Sequence, residues 1–209
     1  MKEVLIVILD EFADWEAASL AAALNQAPET EGAEQKYLVK TVSLTKEPVR
    51  SIGGFTVLPD YDLASVKDGY AGVILIGGNS WRKEASGQVM QLVQKALDSK
   101  LVLGAICDAT VFAGKNGLLN DIDHTSNQLE ELKDWAGSDY TGETQYLHQQ
   151  VVRSGNVITA NGTAFLEFGK EVLLALDAFP QEEIEEWYQV FKVGYHEYVK
   201  QVSGENSPK

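Results

Sequence analysis

Short runs of Val, Ile and Leu alternate along the chain with longer stretches in which apolar residues recur every three or four positions. Val4–Leu9, Val73–Ile76 and Leu101–Ile106 lack polar alternation, the pattern of strands buried on both faces of a parallel sheet. Tyr37–Leu44 alternates and reads as a strand nearer an edge. Residues 49–58, interrupted by Gly53-Gly54, read as a hairpin, as do residues 150–153 and 156–160 around Ser154-Gly155. Helical spacing covers residues 14–26, with Trp15, Ala18 and Leu24 on the apolar side, and 86–99, with Ser86 as cap and Val93 and Ala96 inward. It recurs over 128–135, with Leu129, Leu132 and Trp135 inward, and over 163–179, with Phe168, Val172 and Leu173 at core spacing before Pro180. A last helix over 182–200 carries Ile184, Trp187, Phe191, Tyr195 and Tyr198 on one stripe, as core or subunit contact. This rhythm predicts a doubly wound α/β fold, a mostly parallel central sheet with helices on both faces. It fits one domain over residues 1–200, with 201–209 as a disordered tail.

Composition narrows the partners. A chain of 209 residues with 44% hydrophobic and 23% charged residues is that of an ordinary globular domain. Its formal charge of −14 argues against nucleic acid and anionic membranes; it names no substrate, and its simplest meaning is solubility. A single cysteine excludes an intramolecular disulfide. The apolar run at the N-terminus is brief and enters Asp10-Glu11 without a small-residue cleavage site, so it reads as a strand and not a signal peptide. No run approaches the roughly 20 residues of a membrane helix. These points give an expectation of a cytoplasmic protein.

The candidate chemistry centres on Cys107. It follows the buried run Leu101–Ile106 and precedes the small-residue helical stretch Asp108-Ala109-Thr110-Val111-Phe112-Ala113-Gly114. A strand that ends in a nucleophile and turns sharply into a helix is a nucleophile elbow, with the side chain at the sheet's carboxyl edge. The helix N-terminus there favours a thiolate. Two other strand ends belong to the same edge: Asp10–Glu16 after the first strand, and Gly77-Gly78 after the third central one. Paired glycines leave backbone N–H groups facing a cavity, as an oxyanion site requires. One cysteine and three scattered histidines match no zinc spacing, and no phosphate-binding glycine motif is present, so no cofactor is expected. Asp10, Asp14 and Glu16 form an acidic loop whose simplest reading is solvation.

Taken in order, Asp14-Trp15-Glu16, Gly77-Gly78, Ala105-Ile106-Cys107-Asp108-Ala109, Asn116-Gly117-Leu118-Leu119, His124-Thr125-Ser126-Asn127 and Ile158–Ala164 running into Glu167-Phe168 resemble the DJ-1/PfpI family. The resemblance spans roughly residues 4 to 178. It implies a flavodoxin-like α/β sandwich, in homodimers or larger assemblies. It also implies Cys107 as nucleophile, Glu16 as the carboxyl beside the sulfur, and the backbone amides of Gly78 and Asp108 as oxyanion donors. A thiolate and a carboxylate cannot cheaply share a low-dielectric pocket, so one of the two is expected to hold a proton.

The chain departs from the family pattern at its histidines. Members described as peptidases or amidases place a histidine beside the cysteine, where this chain has Asp108. His148 is the remaining candidate for a Cys–His dyad, although Glu143 aligns better with that place; His124 is expected to organise a loop and His196 to lie on the surface. The expected activity is that of a cysteine-dependent enzyme acting on a small carbonyl or amide compound, whether amidase, peptidase, glyoxalase, deglycase or glutamine-amidotransferase-like. Two rivals stand beside it. One is a stress-protective redox sensor working through oxidation of Cys107. The other is a binding scaffold with an inactive elbow, in which Trp15 and Trp81 form a recognition wall.

Overall fold

The computed structural model describes residues 1–26 and 34–204. Seven strands form one sheet in the order β5 (Tyr61–Asp62), β2 (Tyr37–Ser43), β1 (Lys2–Val7), β6 (Gly72–Leu75), β7 (Val102–Ile106), β9 (Val157–Ala160), β8 (Val151–Ser154). Every neighbouring pair is parallel except β8 and β9, whose tight connection permits only an antiparallel return. A separate antiparallel pair, β3 (Val49–Arg50) and β4 (Thr56–Val57), is the hairpin expected around Gly53-Gly54. β5 was not legible, being two residues long.

The pleat of β1 divides the core. Val4, Ile6 and Ile8 face one layer, where Leu20 and Leu24 of α1 (Asp14–Asn25) meet Phe168, Val172 and Leu173 of α5 (Phe165–Ala175). Leu5, Val7 and Leu9 face the other, where Val93 and Ala96 of α2 (Met90–Asp98) meet Ala109 and Phe112 of α3 (Asp108–Lys115). Full burial of such side chains contributes roughly 1.5–3 kcal/mol each. α3 is buried on both sides, because Leu132 and Ala136 of α4 (Leu129–Ala136) cover Val111 and Ala113. The uninterrupted small and apolar residues after Cys107 are the sequence trace of that enclosure.

Four expectations need correction. Ser86 does not cap a helix N-terminus; it lies in a 3-10 segment, Glu84–Val89, and its hydroxyl donates to the carbonyls of Trp81 and Lys83. The single C-terminal helix is two, α6 (Gln181–Val193) and α7 (Tyr195–Ser203), broken at Gly194, whose φ of 87° a helix does not accept. α7 therefore runs past residue 200, and the rest of the expected tail, 205–209, lies outside the described residues. Along the stripe, Ile184 is buried while Phe191 and Tyr195 are exposed. Trp15 and Trp135, expected inward, are about half exposed, because each sits at the end of its helix nearest the sheet's carboxyl edge.

Candidate active site

That edge gathers residues distant in sequence. β1, β6, β7 and β9 lie side by side, and the segments leaving them carry Glu16, Gly77-Gly78, Cys107-Asp108 and Gly162. Cys107 has φ 58° and ψ −131°, a left-handed conformation that costs about 1–3 kcal/mol for a non-glycine residue. Its own hydrogen bonds hold it there: its N–H donates to the Ala160 carbonyl at 3.0 Å, and its carbonyl accepts from the Thr110 N–H at 2.9 Å and the Thr110 hydroxyl at 2.6 Å. The elbow read from the sequence is thus present.

Glu16 is fully buried in the first turn of α1. Oε2 accepts from the Gly77 N–H at 2.8 Å, and Oε1 has no nitrogen or oxygen partner. Oε1 and the Cys107 Sγ share one space: a Cβ on Gly162 would stand 3.0 Å from the first and 2.9 Å from the second. A Cβ on Gly77 would be 2.5 Å from both the Cys107 Cβ and Glu16 Oε2. The two glycines are the walls that let thiol and carboxyl approach.

Asn127 closes the site. Its Nδ2 lies 3.4 Å from Sγ as donor, and its Oδ1 accepts from the Gly162 N–H at 2.9 Å. The segment before it is anchored by Thr125, whose N–H donates to Thr159 Oγ1, and by His124, fully buried between the Ile122 carbonyl and the Tyr140 hydroxyl at 2.8 Å each. Burial pulls the His124 pKa down, so its ring is neutral and organises the loop.

The electrostatics of the pair are set by burial. Desolvation raises the Glu16 carboxyl from its usual 4.5 to about 7, against the lowering effect of the Gly77 N–H. Desolvation, then the Glu16 charge, pushes the Cys107 thiol up to about 12, although the Asn127 amide and the Asp108 N–H pull it down. Between those values the pair holds one proton and one negative charge. Burial and the neighbouring carboxyl thus oppose the thiolate that the helix N-terminus, the Asn127 amide and the Asp108 N–H favour.

A cleft of about 350 Å³ opens above the sulfur, lined by Cys107, Gly78, Asp108, Trp15, Arg82 and Trp135 among others. Gly78, at φ 147°, contributes an N–H with no acceptor among the described residues, and the Asp108 N–H faces Sγ. The Asp108 carboxylate is held by a two-pronged contact from Arg82, at 2.6 and 2.9 Å, and Arg82 also bonds Glu131 and lies 4.4 Å over the Trp135 ring. Arg82 closes the 3-10 segment that begins at Asn79, beside Gly78, so this fork ties one oxyanion-donor loop to the other.

Not every expected residue is here. His148 is exposed, packs edge-on against Tyr146 and does not line the cleft, so it forms no dyad with Cys107; Glu143 is exposed and paired with Lys133. Asp10 and Asp14 accept the Arg50 and Gly53 N–H groups and pin the β3–β4 hairpin. Among the described residues no cluster of His, Cys, Asp or Glu is placed to hold a metal ion. Trp81 is no recognition wall: it is buried against Phe112, its N–H on the Ile76 carbonyl. Sequence reasoning missed Asn127, Arg82 and Trp135 as site residues. Asn127 was within sight, in the quoted His-Thr-Ser-Asn segment; the other two carry no local signal.

The family model described as "DJ-1/PfpI family" matches residues 2–175. Over 199 residues, 95% of each chain, the sequence is 36% identical to a Bacillus subtilis protein named uncharacterized protease YdeA. A thiJ/pfpI family protein from Bacillus anthracis superposes with a TM-score of 0.86 at 32% identity, over 97% of this chain and 96% of that one. A DJ-1 superfamily protein from Agrobacterium tumefaciens does so with a TM-score of 0.81 at 32% identity, over 92% and 98%. With its elbow cysteine, mostly parallel sheet and these relatives along nearly its whole length, the chain belongs to the DJ-1/PfpI family.

Proposed function

We propose that the protein is a cysteine-dependent enzyme acting on a small carbonyl or amide compound, with Cys107 as nucleophile. The observation that carries this reading is the buried Glu16 carboxyl beside a strained elbow thiol at the floor of an open cleft. A base is most useful with a pKa near the working pH, and the Glu16 carboxyl stands at about 7. As Sγ adds to the carbonyl carbon, the thiol proton passes to Glu16 and the C=O π pair moves onto oxygen. The Gly78 and Asp108 N–H groups receive that oxyanion, a contribution of up to about 3–4 kcal/mol per well-placed donor. With a reactive carbonyl, Glu16 then gives the proton to the oxyanion, completing a hemithioacetal; with an activated amide the C–N bond breaks, Glu16 protonates the departing amine, and water adds to the thioester to release Sγ. Among the described residues no histidine lines the cleft, so protonation of an amine leaving group falls to Glu16 alone, which favours reactive carbonyls and activated amides over ordinary peptide bonds. The test is turnover of a panel of aldehydes, ketoaldehydes and activated amides by wild type and Cys107→Ala. Loss of all activity in the variant is expected; full activity overturns the reading.

The surroundings of Sγ also support a second reading, as an oxidation sensor. The Asn127 amide, the Asp108 N–H and a protonated Glu16 are three donors suited to the oxygens of a sulfinate, and the chain has no second cysteine to divert oxidation into an internal disulfide. Mild peroxide followed by mass spectrometry tests it: two added oxygens on Cys107 support it, and a thiol that resists doses oxidising ordinary thiols sinks it.

A further inference from the structure

Two tryptophans stand at the mouth of the cleft with 46% (Trp15) and 50% (Trp135) of their surface exposed. Ile52, at 47%, lines the same opening. Both indoles are held in place. The Trp15 Nε1 donates to the Gly162 carbonyl at 3.2 Å, and the Arg82 guanidinium covers the Trp135 ring. Large apolar side chains fixed around an opening, with the nucleophile below them, make a ligand-facing surface.

The charges point the same way. Arg82 is the cationic residue of the lining, and Asp108 and Glu131 both occupy it. The negative charge shared by Glu16 and Cys107 adds to theirs, so anions outnumber the cation around the sulfur. Nearby Lys83 is paired with Glu11. A carboxylate entering this cleft would meet repulsion, whereas a neutral compound would not.

We propose that the cleft selects uncharged carbonyl compounds bearing a flat aromatic group one methylene from the carbonyl, that group resting against Trp15, Trp135 and Ile52 while the carbonyl carbon lies over Sγ. This rests on the reading of Cys107 as nucleophile and names the substrate class of that site. Asn79, whose residue type suits a neutral amide or ketone, lines the same cleft.

The experiment compares binding of phenylacetamide, acetamide and phenylacetate by calorimetry, in wild type, Trp135→Ala and Trp135→Phe. Phenylacetamide is expected to bind about tenfold more tightly than acetamide, the scale of one good aromatic contact. Phenylacetate should bind several-fold more weakly than its uncharged counterpart. Trp135→Ala should remove most of the aryl advantage and Trp135→Phe keep most of it. Equal affinities, a preference for phenylacetate or no phenylacetamide binding at all would overturn the proposal, and the wild-type series alone suffices if the alanine variant fails to fold. The two readings fail separately. Selective binding without any turnover sinks the catalytic one, and turnover of small carbonyls without aryl preference sinks this one.

Discussion

Glu16→Gln keeps the shape of a buried side chain and removes its proton-binding site. Its effect on stability follows from the 4.5-to-7 displacement of the carboxyl. Because the folded value lies above the unfolded one, the folded state holds this proton more tightly. The stability so gained is complete below pH 4.5 and is lost as pH rises to about 7. An interval of 7 − 4.5 = 2.5 pH units, at about 1.4 kcal/mol per unit, gives about 3 kcal/mol. The glutamine carries no such loss. Urea denaturation of both proteins at several values between pH 4.5 and 8 should show the wild type losing about 3 kcal/mol relative to the variant. The other carboxylates cancel in the difference. At pH 8 the variant should equal or exceed wild type in stability while losing turnover, the expected trade for a carboxyl retained for chemistry. Parallel stability curves for the two proteins would refute the argument.

Three further outcomes follow from the same geometry. Gly162→Ala places a Cβ 2.9 Å from Sγ; it should slow alkylation of Cys107 by about tenfold or more and cost about 1–3 kcal/mol, so an unchanged rate would show the sulfur lies elsewhere. Arg82→Met leaves the nearly buried Asp108 carboxylate with no counter-charge beside the thiol; it should cost about 2–4 kcal/mol in urea melts and raise the thiol pKa, and adding Asp108→Asn should restore much of both, whereas a double-mutant cycle additive within about 0.5 kcal/mol would show no coupling. His148→Ala should leave alkylation and turnover within about twofold, since the residue is exposed and does not line the cleft; a tenfold loss would return it to the site.

The central strands, the elbow and the glycine pair were legible because each is a local pattern: an unbroken apolar run, a thiol at its end, small residues after it. The order of blocks around Glu16, Cys107 and Gly162 was legible for the same reason. Arg82 and Trp135 were not, because their roles arise where a 3-10 segment and α4 meet across α3, a contact no local spacing encodes. Periodicity turned Trp135 inward because it cannot tell a core from a cleft; both bury one side of a helix. The break at Gly194 was overruled by a stripe that continues in register across it. The balance acting on the thiol was legible only on one side: a helix N-terminus can be read from sequence, while the depth of burial that opposes it cannot.

The loop after β9 fastens the site from outside, through the Gly162 N–H on Asn127 and the Trp15 indole on the Gly162 carbonyl. A growing chain therefore has a complete elbow sequence at residue 108 and lacks its pocket until more than fifty further residues have emerged. In that interval Cys107 lacks the Gly162 wall of its pocket. Its alkylation rate during refolding should therefore change when this edge forms, because the surroundings of the sulfur change at that moment. The sole cysteine is a clock for the closing of this edge.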